Sequence, residues 1–296
     1  MLLPNSITIK TNKTMAVGAY IPGIICIIIL LGIMFRLMHY ARFYAPSYLF
    51  WIGLILALAG FISLFFPLSF LFILNRTIAV FVLSGGVLMS LLSLLWPVKI
   101  KHSRTKMQID KFLPDYAFGE FHELSVNVDA GKAKVVFGST GVKEITVVHA
   151  LMKIRGIADT DTKKNFGTTS RVQGSEMIST PDFNFFTVAP DEWMMFMILK
   201  SSMFGDKSGK PDPPEITSVE QFTGFNDTGY VKVAANFRFI GNGDGRTILS
   251  TETRICGLSL LDSRIFGIYW RIIYPGSAII RRLWLDTIKK RAEKSE

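Results

Sequence analysis

The sequence predicts an α-helical membrane anchor of three transmembrane helices, followed by an α+β domain with an antiparallel sheet wrapped around a long C-terminal helix. Residues 15–96 contain no Asp or Glu and only three strongly charged residues, Arg36, Arg42 and Arg76. After Asp110, short segments of alternating polar and apolar residues are separated by Gly- and Pro-rich turns, which is typical of β-strands. The last part of the chain carries an apolar face at helical spacing.

Three segments are long and apolar enough to cross the hydrocarbon core of a bilayer, which takes about 20 helical residues. We place them at 16–35, 47–66 and 78–96, within a transmembrane region of residues 1–98. No Asp, Glu, Lys, Arg or His falls inside them. Transporters and pumps usually place such groups in the membrane, so this absence argues against transport. The stretch 67–74 is compatible with an extension of the second helix or with an interfacial segment.

The net charge of +10 is concentrated near the membrane region. Residues 1–98 carry five positive and no negative charges, and a basic linker at 99–108 adds Lys99, Lys101, Arg104 and Lys106. The rest of the chain has 24 Lys and Arg against 23 Asp and Glu. Nucleic-acid binding needs an excess of positive charge on the domain itself, so we expect no nucleic-acid partner.

The same charges predict the orientation of the chain, since Lys and Arg stay preferentially in the cytoplasm. With three helices, the first loop and the basic linker lie on one side and hold six Lys and Arg, against three on the other side. We therefore expect integration in the cytoplasmic (inner) membrane, with the N-terminus outside and the soluble domain in the cytoplasm.

The soluble part, 109–292, has a defined order of predicted elements. A strand at Glu120–Val128 precedes Asp129, a predicted helix N-cap, and two short helices, the second at Glu144–Arg155. A long polar loop, Gly156–Pro181, follows. The remaining predicted strands are Phe183–Val188, Glu192–Ser202, Ile216–Phe225, Gly229–Ile240 and Arg246–Gly257, and the final helix runs over Leu260–Ile273 and Ser277–Arg291 with a kink or break at Pro275. The short connections predict antiparallel neighbours.

This order resembles the helix-grip superfamily (SRPBCC) of START lipid-transfer domains, pollen-allergen-type proteins and polyketide cyclases. The phrases Phe112–Tyr116 (FLPDY), Ala150–Gly156 (ALMKIRG) and Leu249–Arg254 (LSTETR) also look like a membrane-anchored bacterial branch of it. The resemblance implies a cavity for lipids or other hydrophobic molecules between the sheet and the C-terminal helix.

Strand alternation predicts which side chains line that space. It directs Val233 and Phe237 inward on one strand and Thr251 and Thr253 inward on the next, with Glu252 and Arg254 facing outward as a surface ion pair. The predicted ligand-contacting residues are Met195, Met197, Val233, Phe237, Thr251, Thr253, Tyr269 and Trp270. The same residues are also compatible with a filled core.

The segment Trp193–Leu199 (WMMFMIL) is apolar on both faces of its predicted strand. An antiparallel sheet usually shows one face to water. Its outer face is predicted to meet the membrane, a partner protein or a second copy of the chain. The alternative is that the short helices cover it.

The sequence lacks the usual signatures of catalysis. His122 and His149 stand apart from any cluster of metal-ligand type, so we expect no metal and no cofactor. The run Gly241–Gly245 joins two strands and predicts a hairpin turn, because a phosphate loop would lead into a helix.

The first functional hypothesis is therefore a non-enzymatic, membrane-tethered domain that binds a lipid or other hydrophobic small molecule at the membrane surface. Two alternatives remain. One is a cyclase- or aromatase-like enzyme, which would need an acid or base facing the cavity, and the predicted inward residues include none. The other is a structural or assembly subunit of a membrane complex, with a membrane partner protein or as a homo-oligomer.

Overall fold

The computed structural model describes residues 25, 28, 29, 32, 44–103, 107–141, 145–146, 177–179, 184–203, 209–214 and 216–294. The chain divides into two compact units, Met1–Trp96 and Pro97–Glu296. Almost all of the first predicted transmembrane helix lies outside the described residues. So do nearly the whole predicted helix at 144–155, most of the predicted loop at 156–181, and His149.

The described part of the first unit contains two long helices, α1 (Ala45–Ser63) and α2 (Arg76–Leu94), joined through a short 3₁₀ turn at Ser69–Leu71. Both are long and apolar enough to cross a membrane, and they correspond to the second and third predicted transmembrane helices. Asn75 caps α2 by accepting a hydrogen bond from the backbone N–H of Ile78 at 2.9 Å. The structure thus describes two candidate membrane helices, and a count of three remains a prediction.

Small residues form the contact between α1 and α2. A Cβ added to Gly86 would lie 2.6 Å from the carbonyl oxygen of Gly53, so the two backbones touch directly. Ser90 Oγ donates to the carbonyl of Phe50 at 3.1 Å. Large side chains such as Phe81 and Leu58 point outward and are 71% and 58% exposed. Small residues inside and large apolar residues outside are typical of helices that pack within lipid.

The second unit is built on a six-stranded antiparallel sheet in the order β3-β8-β7-β6-β5-β4. Its strands are β3 (Phe118–Val126), β4 (Met177–Ser179), β5 (Asn184–Ala189), β6 (Glu192–Lys200), β7 (Tyr230–Gly241) and β8 (Thr247–Gly257). Two short strands, β1 (Lys101–His102) and β2 (Asp115–Tyr116), pair with each other. The helices among its described residues are α3 (Ile109–Phe112), α4 (Ala130–Ser139), α5 (Val219–Gly224) and α6 (Leu260–Lys294). Sequential antiparallel pairing from β5 to β8 confirms the predicted order for four of the five strands predicted after the loop, whereas β4 lies in the segment predicted as a loop.

Local sequence signals explain several element boundaries. Asp129 caps α4 as predicted, accepting from the backbone N–H of Lys132 at 3.0 Å. The turn between β7 and β8 has positive φ at Gly243 and Gly245, a conformation that glycine adopts without strain, and this confirms the hairpin.

Two predictions of secondary structure are wrong. The segment predicted as a strand at Ile216–Phe225 contains α5 instead. Ser218 caps α5 at the backbone N–H of Gln221, while the Gln221 side chain accepts from the backbone N–H of Thr217, which closely resembles a capping box. The C-terminal helix also continues through Pro275 as a single element of 35 residues, so the break predicted there is wrong, while the kink that the sequence also allowed stays a prediction. Trp270 and Tyr274 before the proline and Ala278 after it are all buried, and this burial offsets the lost hydrogen bond.

Both faces of the sheet are covered. Helices α4 and α6 pack on the face that we call inner, around Phe137, Phe237 and Trp284. Helices α3 and α5 cover the outer face, where Phe196 lies 4.7 Å from Phe222 and 5.2 Å from Phe112 between ring centroids. The hypothesis that the outer face of Trp193–Leu199 meets a membrane or a partner is therefore wrong. Short helices bury this face, as in the alternative prediction. They are α3 and α5, and not the two helices predicted after the first strand.

Arg254 is the centre of a buried polar network on the outer face and is not part of a surface ion pair as predicted. Its side chain has no solvent exposure and contacts Asp110 at 2.6 Å and Glu252 at 2.8 Å. It also donates to the Leu113 carbonyl at 3.1 Å and to Ser103 Oγ at 2.9 Å. Although burial raises the pKa of Asp110, hydrogen bonds from Ser103 and Arg254 hold that pKa below its ordinary value. Arg254 thus holds the segment between β1 and β2 against the sheet.

A second buried carboxylate extends this polar layer. Glu192 accepts from Asn236 Nδ2 at 2.6 Å, and Asn236 Oδ1 accepts from the backbone N–H of Glu252 at 2.7 Å. Burial raises the pKa of Glu192, and the hydrogen bond from Asn236 and the charge of Arg238 only partly oppose this.

The contact between α1 and α2 can be tested with neighbouring glycines. Gly86→Leu should destabilise the helix pair by about 1–3 kcal/mol, because overpacking forces the backbones apart. Gly85→Leu is the matched control, since nothing lies within 4 Å of a Cβ added there. The two variants are compared by thermal unfolding of the detergent-purified protein. The extent of disulfide cross-linking between α1 and α2 at each temperature reports whether the helices are still in contact. Equal melting of the two variants would contradict this packing.

The buried network predicts a large effect at Arg254. Arg254→Met should destabilise the protein by about 3–5 kcal/mol, because Asp110 and Glu252 lose their common partner. Arg246→Met is the control, since its ion pair with Asp244 is exposed in the hairpin turn and should leave the melting temperature unchanged. Tryptophan fluorescence during thermal unfolding measures both variants. A small effect at Arg254 would show that the network contributes little.

Candidate ligand-binding site

The inner face of the sheet is arranged as cross-strand rows. One row runs Trp193, Phe237, Thr251, His122, and the next runs Met195, Ala235, Thr253, Glu120. In both rows the residues on β6 and β7 are apolar and those on β8 and β3 are polar. In these two rows the inner face has an apolar half on β6 and β7 and a polar half on β8 and β3, whereas the inward rows on either side of them are apolar on β3 and β8 as well.

Glu120 and His122 form a buried pair in the polar half. The Glu120 side chain has no solvent exposure and that of His122 has 6%, and His122 Nε2 lies 2.5 Å from Glu120 Oε1. A carboxylate can only accept, so Nε2 carries the proton and donates it. In the neutral ring Nδ1 is then an acceptor, and no described residue hydrogen-bonds it. This pairing of His122 with a buried carboxylate was not predicted from the sequence.

Arg281 of α6 holds the same carboxylate from the helix side. Its Nη1 lies 3.2 Å from Glu120 Oε2 and 2.5 Å from Ser277 Oγ. Its Nε and Nη2 donate to Thr253 Oγ1 at 3.1 and 2.6 Å. Each Glu120 oxygen thus has a partner, and the Glu120–Arg281 pair has no net charge. We call Glu120, His122, Thr253, Ser277 and Arg281 the polar cluster.

Thr251 adds a hydroxyl that the protein leaves unused. The residue is 1% exposed, and its Oγ1 is buried with no hydrogen-bond partner among the described residues. It lies directly opposite His122 in the cross-strand row. A buried hydroxyl without a partner costs about 1–3 kcal/mol, so its presence at this point requires a reason.

Aromatic rings fill the space above the apolar half. Phe137 of α4 contacts five rings with centroids 4.5–5.6 Å apart, including Phe237 at 4.5 Å and Trp284 at 5.3 Å. At the other end of the face, Phe118 lies 6.1 Å from Trp270 and from Phe266 of α6. The polar cluster lies between these two aromatic groups along α6.

The eight predicted ligand-contacting residues are distributed over this face. Val233, Phe237, Thr251 and Thr253 are buried, and Met195 and Met197 are half-buried. Trp270 packs on Phe118, whereas the ring of Tyr269 contacts Phe266. Of these eight residues, Thr253 is the one that belongs to the polar cluster, through its hydrogen bonds from Arg281. Whether these residues contact a ligand remains a prediction.

The sequence-based prediction missed Glu120, His122 and Arg281. The alternation that directs Leu124 and Val126 inward also directs Glu120 and His122 inward, because all four lie on alternate positions of β3. The statement that no acid or base faces the inner space is therefore wrong. No comparable signal identified Arg281, because its partners lie on β3 and β8, distant in sequence.

A double-mutant cycle tests the Glu120–Arg281 pair. Arg281→Met should destabilise the protein by about 3–5 kcal/mol, since it leaves the Glu120 carboxylate buried without its cation. The double variant Glu120→Leu/Arg281→Met should recover part of that loss. Arg282→Met is the control, because its pair with Asp286 is partly exposed at 3.6 Å. Chemical denaturation is measured for the wild type, the single variants Glu120→Leu and Arg281→Met, the double variant and the control, and additive effects of the two single substitutions would contradict direct coupling.

Comparison with known proteins gives little further information. No family model and no curated protein matches the chain. Among solved structures, a hypothetical protein from Helicobacter pylori is similar at 12% identity, over 66% of this chain and 99% of that one. Its TM-score of 0.26 is too low for that likeness to carry an argument about fold or function.

Proposed function

We propose that this protein is a membrane-tethered domain that binds a lipid or other hydrophobic small molecule against the inner face of its sheet. One observation carries the proposal: the unused, buried Thr251 hydroxyl lies between an apolar wall and the polar cluster. A site of this kind receives an apolar body on one side and orients a polar group on the other. The half-buried Met195 and Met197 supply a wall that can adapt its shape.

The membrane part of the proposal rests on α1 and α2 and on the charges around them. The helices expose large apolar side chains and pack through small ones, as expected in lipid. The distribution of Lys and Arg favours the cytoplasmic membrane, with the N-terminus outside and the domain in the cytoplasm. Such a tether keeps a lipid-binding domain next to the source of its ligand.

The chemistry of the site favours a ligand with an uncharged polar group. Glu120 and Arg281 already neutralise each other, so a second anion would meet no unpaired cation among the described residues of the polar cluster. Thr251 Oγ1 can donate or accept, and His122 Nδ1 can accept. A ligand hydroxyl or carbonyl would satisfy the Thr251 hydroxyl that is otherwise costly.

Thr251→Val separates this proposal from a filled core. The variant removes an unpartnered buried hydroxyl at nearly constant shape, so the free protein should keep or slightly raise its melting temperature. Retention of a bound lipid should fall about fivefold, the effect of one hydrogen bond worth about 1 kcal/mol. Native mass spectrometry and lipid extraction of the detergent-purified full chain measure the retained molecule.

Ser250→Ala is the matched control, because Ser250 is equally buried on the same strand but faces outward. If wild-type protein carries no lipid, the proposal is wrong. If the Thr251 and Ser250 variants retain equal amounts, Thr251 does not contact the ligand and the site lies elsewhere.

The Glu120–His122 pair favours a second candidate, a cyclase- or aromatase-like enzyme acting on a hydrophobic substrate. An imidazole held by a carboxylate through Nε2 presents Nδ1 as a general base. Under this alternative, His122→Gln would accumulate a bound molecule that differs in mass from the one in wild-type protein. Identical bound molecules in both proteins favour binding without chemistry.

A further inference from the structure

One end of the sheet exposes aliphatic side chains that the fold does not cover. Leu260 and Leu261, at the start of α6, are 52% and 64% exposed, and Ile100, just before β1, is 50% exposed. The described part of unit 97–296 exposes one other large apolar side chain, Val135 on α4. Three of the four large apolar side chains exposed in the described part of this unit are therefore Ile100, Leu260 and Leu261.

The strand pairing places these three residues at the same end of the sheet. Lys101 pairs with Tyr116 at the end of β2, and the next residue, Ala117, donates its N–H to the Ile255 carbonyl at 2.8 Å. β8 ends two residues later, and Leu260 follows that end directly. Val98 lies against α6 as well, 3.4 Å from the position of a Cβ on Gly267. Ile100 and the Leu260–Leu261 pair thus flank one junction.

Three cations surround the exposed aliphatic residues. Lys99 and Lys101 alternate with Ile100, and Arg264 follows Leu260 and Leu261 by about one turn of α6. All three are exposed, and no described residue forms an ion pair with any of them. The nearby acids are occupied, since Asp115 pairs with His102 at 2.7 Å and the buried Asp262 accepts from Gly229 N–H at 3.0 Å.

We propose that this junction surface, formed by Lys99, Ile100, Lys101, Leu260, Leu261 and Arg264, docks on the headgroup region of an anionic bilayer. Aliphatic side chains flanked by Lys and Arg bind such surfaces by inserting the apolar groups while the cations meet lipid phosphates. Lys99 follows the end of α2 by five residues, so the surface begins where the chain leaves an apolar helix. A second copy of the chain is disfavoured as the occupant, because like charges would face each other.

Docking would hold the β8–α6 junction at the lipid surface in addition to any membrane helices. The inference concerns an external surface and does not depend on ligand binding at Thr251. The inference and the proposed function both assume that α2 lies in the membrane. The label at Leu91 on α2 tests that assumption separately.

Site-specific fluorescence in nanodiscs tests the docking. In full-length protein carrying Cys26→Ser and Cys256→Ser, single cysteines at Leu261→Cys, Val135→Cys or Leu91→Cys receive an environment-sensitive dye. The nanodiscs contain phosphatidylcholine, phosphatidylglycerol and a nitroxide-labelled lipid that quenches nearby dyes. Leu91, 53% exposed on α2, reports insertion, and Val135, 73% exposed on α4, is the undocked control.

The expected result is that quenching at 261 exceeds quenching at 135 at least threefold. It should fall towards the control value in 0.5 M salt or in the triple variant Lys99→Gln/Lys101→Gln/Arg264→Gln, since salt screens these contacts. If 91 is quenched but 261 matches 135, the docking inference is wrong while membrane placement stands. If 91 is not quenched, membrane placement itself fails. Shielding of 261 in lipid-free detergent, with disulfide cross-linking between copies at 261, would identify a second copy as the occupant and overturn the inference.

Discussion

The unit Pro97–Glu296 is organised around one buried carboxylate, that of Glu120, which lies between the sheet and α6 with no solvent exposure. An uncompensated charge at Glu120 would cost several kcal/mol, even after the surroundings relax. His122 from the same strand and Arg281 from the helix provide the compensation, and Arg281 also binds Thr253 on the neighbouring strand. These contacts link β3, β8 and α6 at one point. The aromatic groups around Phe137 and Trp270 then pack on either side of it.

The division of the inner face into an apolar and a polar half follows from this constraint. Beside the polar cluster, β6 and β7 carry apolar residues, and together with Val126 of β3 and Leu249 of β8 these form the surface that α4 and the second half of α6 bury. The outer face uses a second buried cation in a different way. Arg254 binds Asp110, Glu252 and the Leu113 carbonyl. It thereby holds the segment around Asp110 and Leu113, which precedes β2 in the chain, against the sheet. Helix α3 in that segment then covers Phe196 from outside.

Functional interpretation rests on the few polar groups that the fold does not use. Most buried polar atoms of the described residues have partners, as expected of a native core. Thr251 Oγ1 and His122 Nδ1 are on adjacent strands and lack such partners, which distinguishes this point from the satisfied network around Arg254. Lys99, Lys101 and Arg264 near Leu261 form no ion pair with a described residue, whereas surface cations such as Lys200 and Arg282 pair with Asp212 and Asp286. These are the two places at which we propose that another molecule binds.

Local patterns in the sequence were sufficient for elements whose signals lie within a few residues. These include the two apolar helices, the Asp129 cap, the hairpin at Gly243 and the four strands β5 to β8. The tertiary structure decided the rest, because the responsible contacts join distant positions. Burial on both sides of Pro275 keeps α6 continuous, and α3 and α5 cover the outer face of β6. Arg254 is internal because Ser103, Asp110 and Leu113 contact it. The polar cluster was partly visible in the alternation of β3. Arg281 could be assigned to it only once α6 lay across the sheet, since no local pattern relates position 281 to position 120.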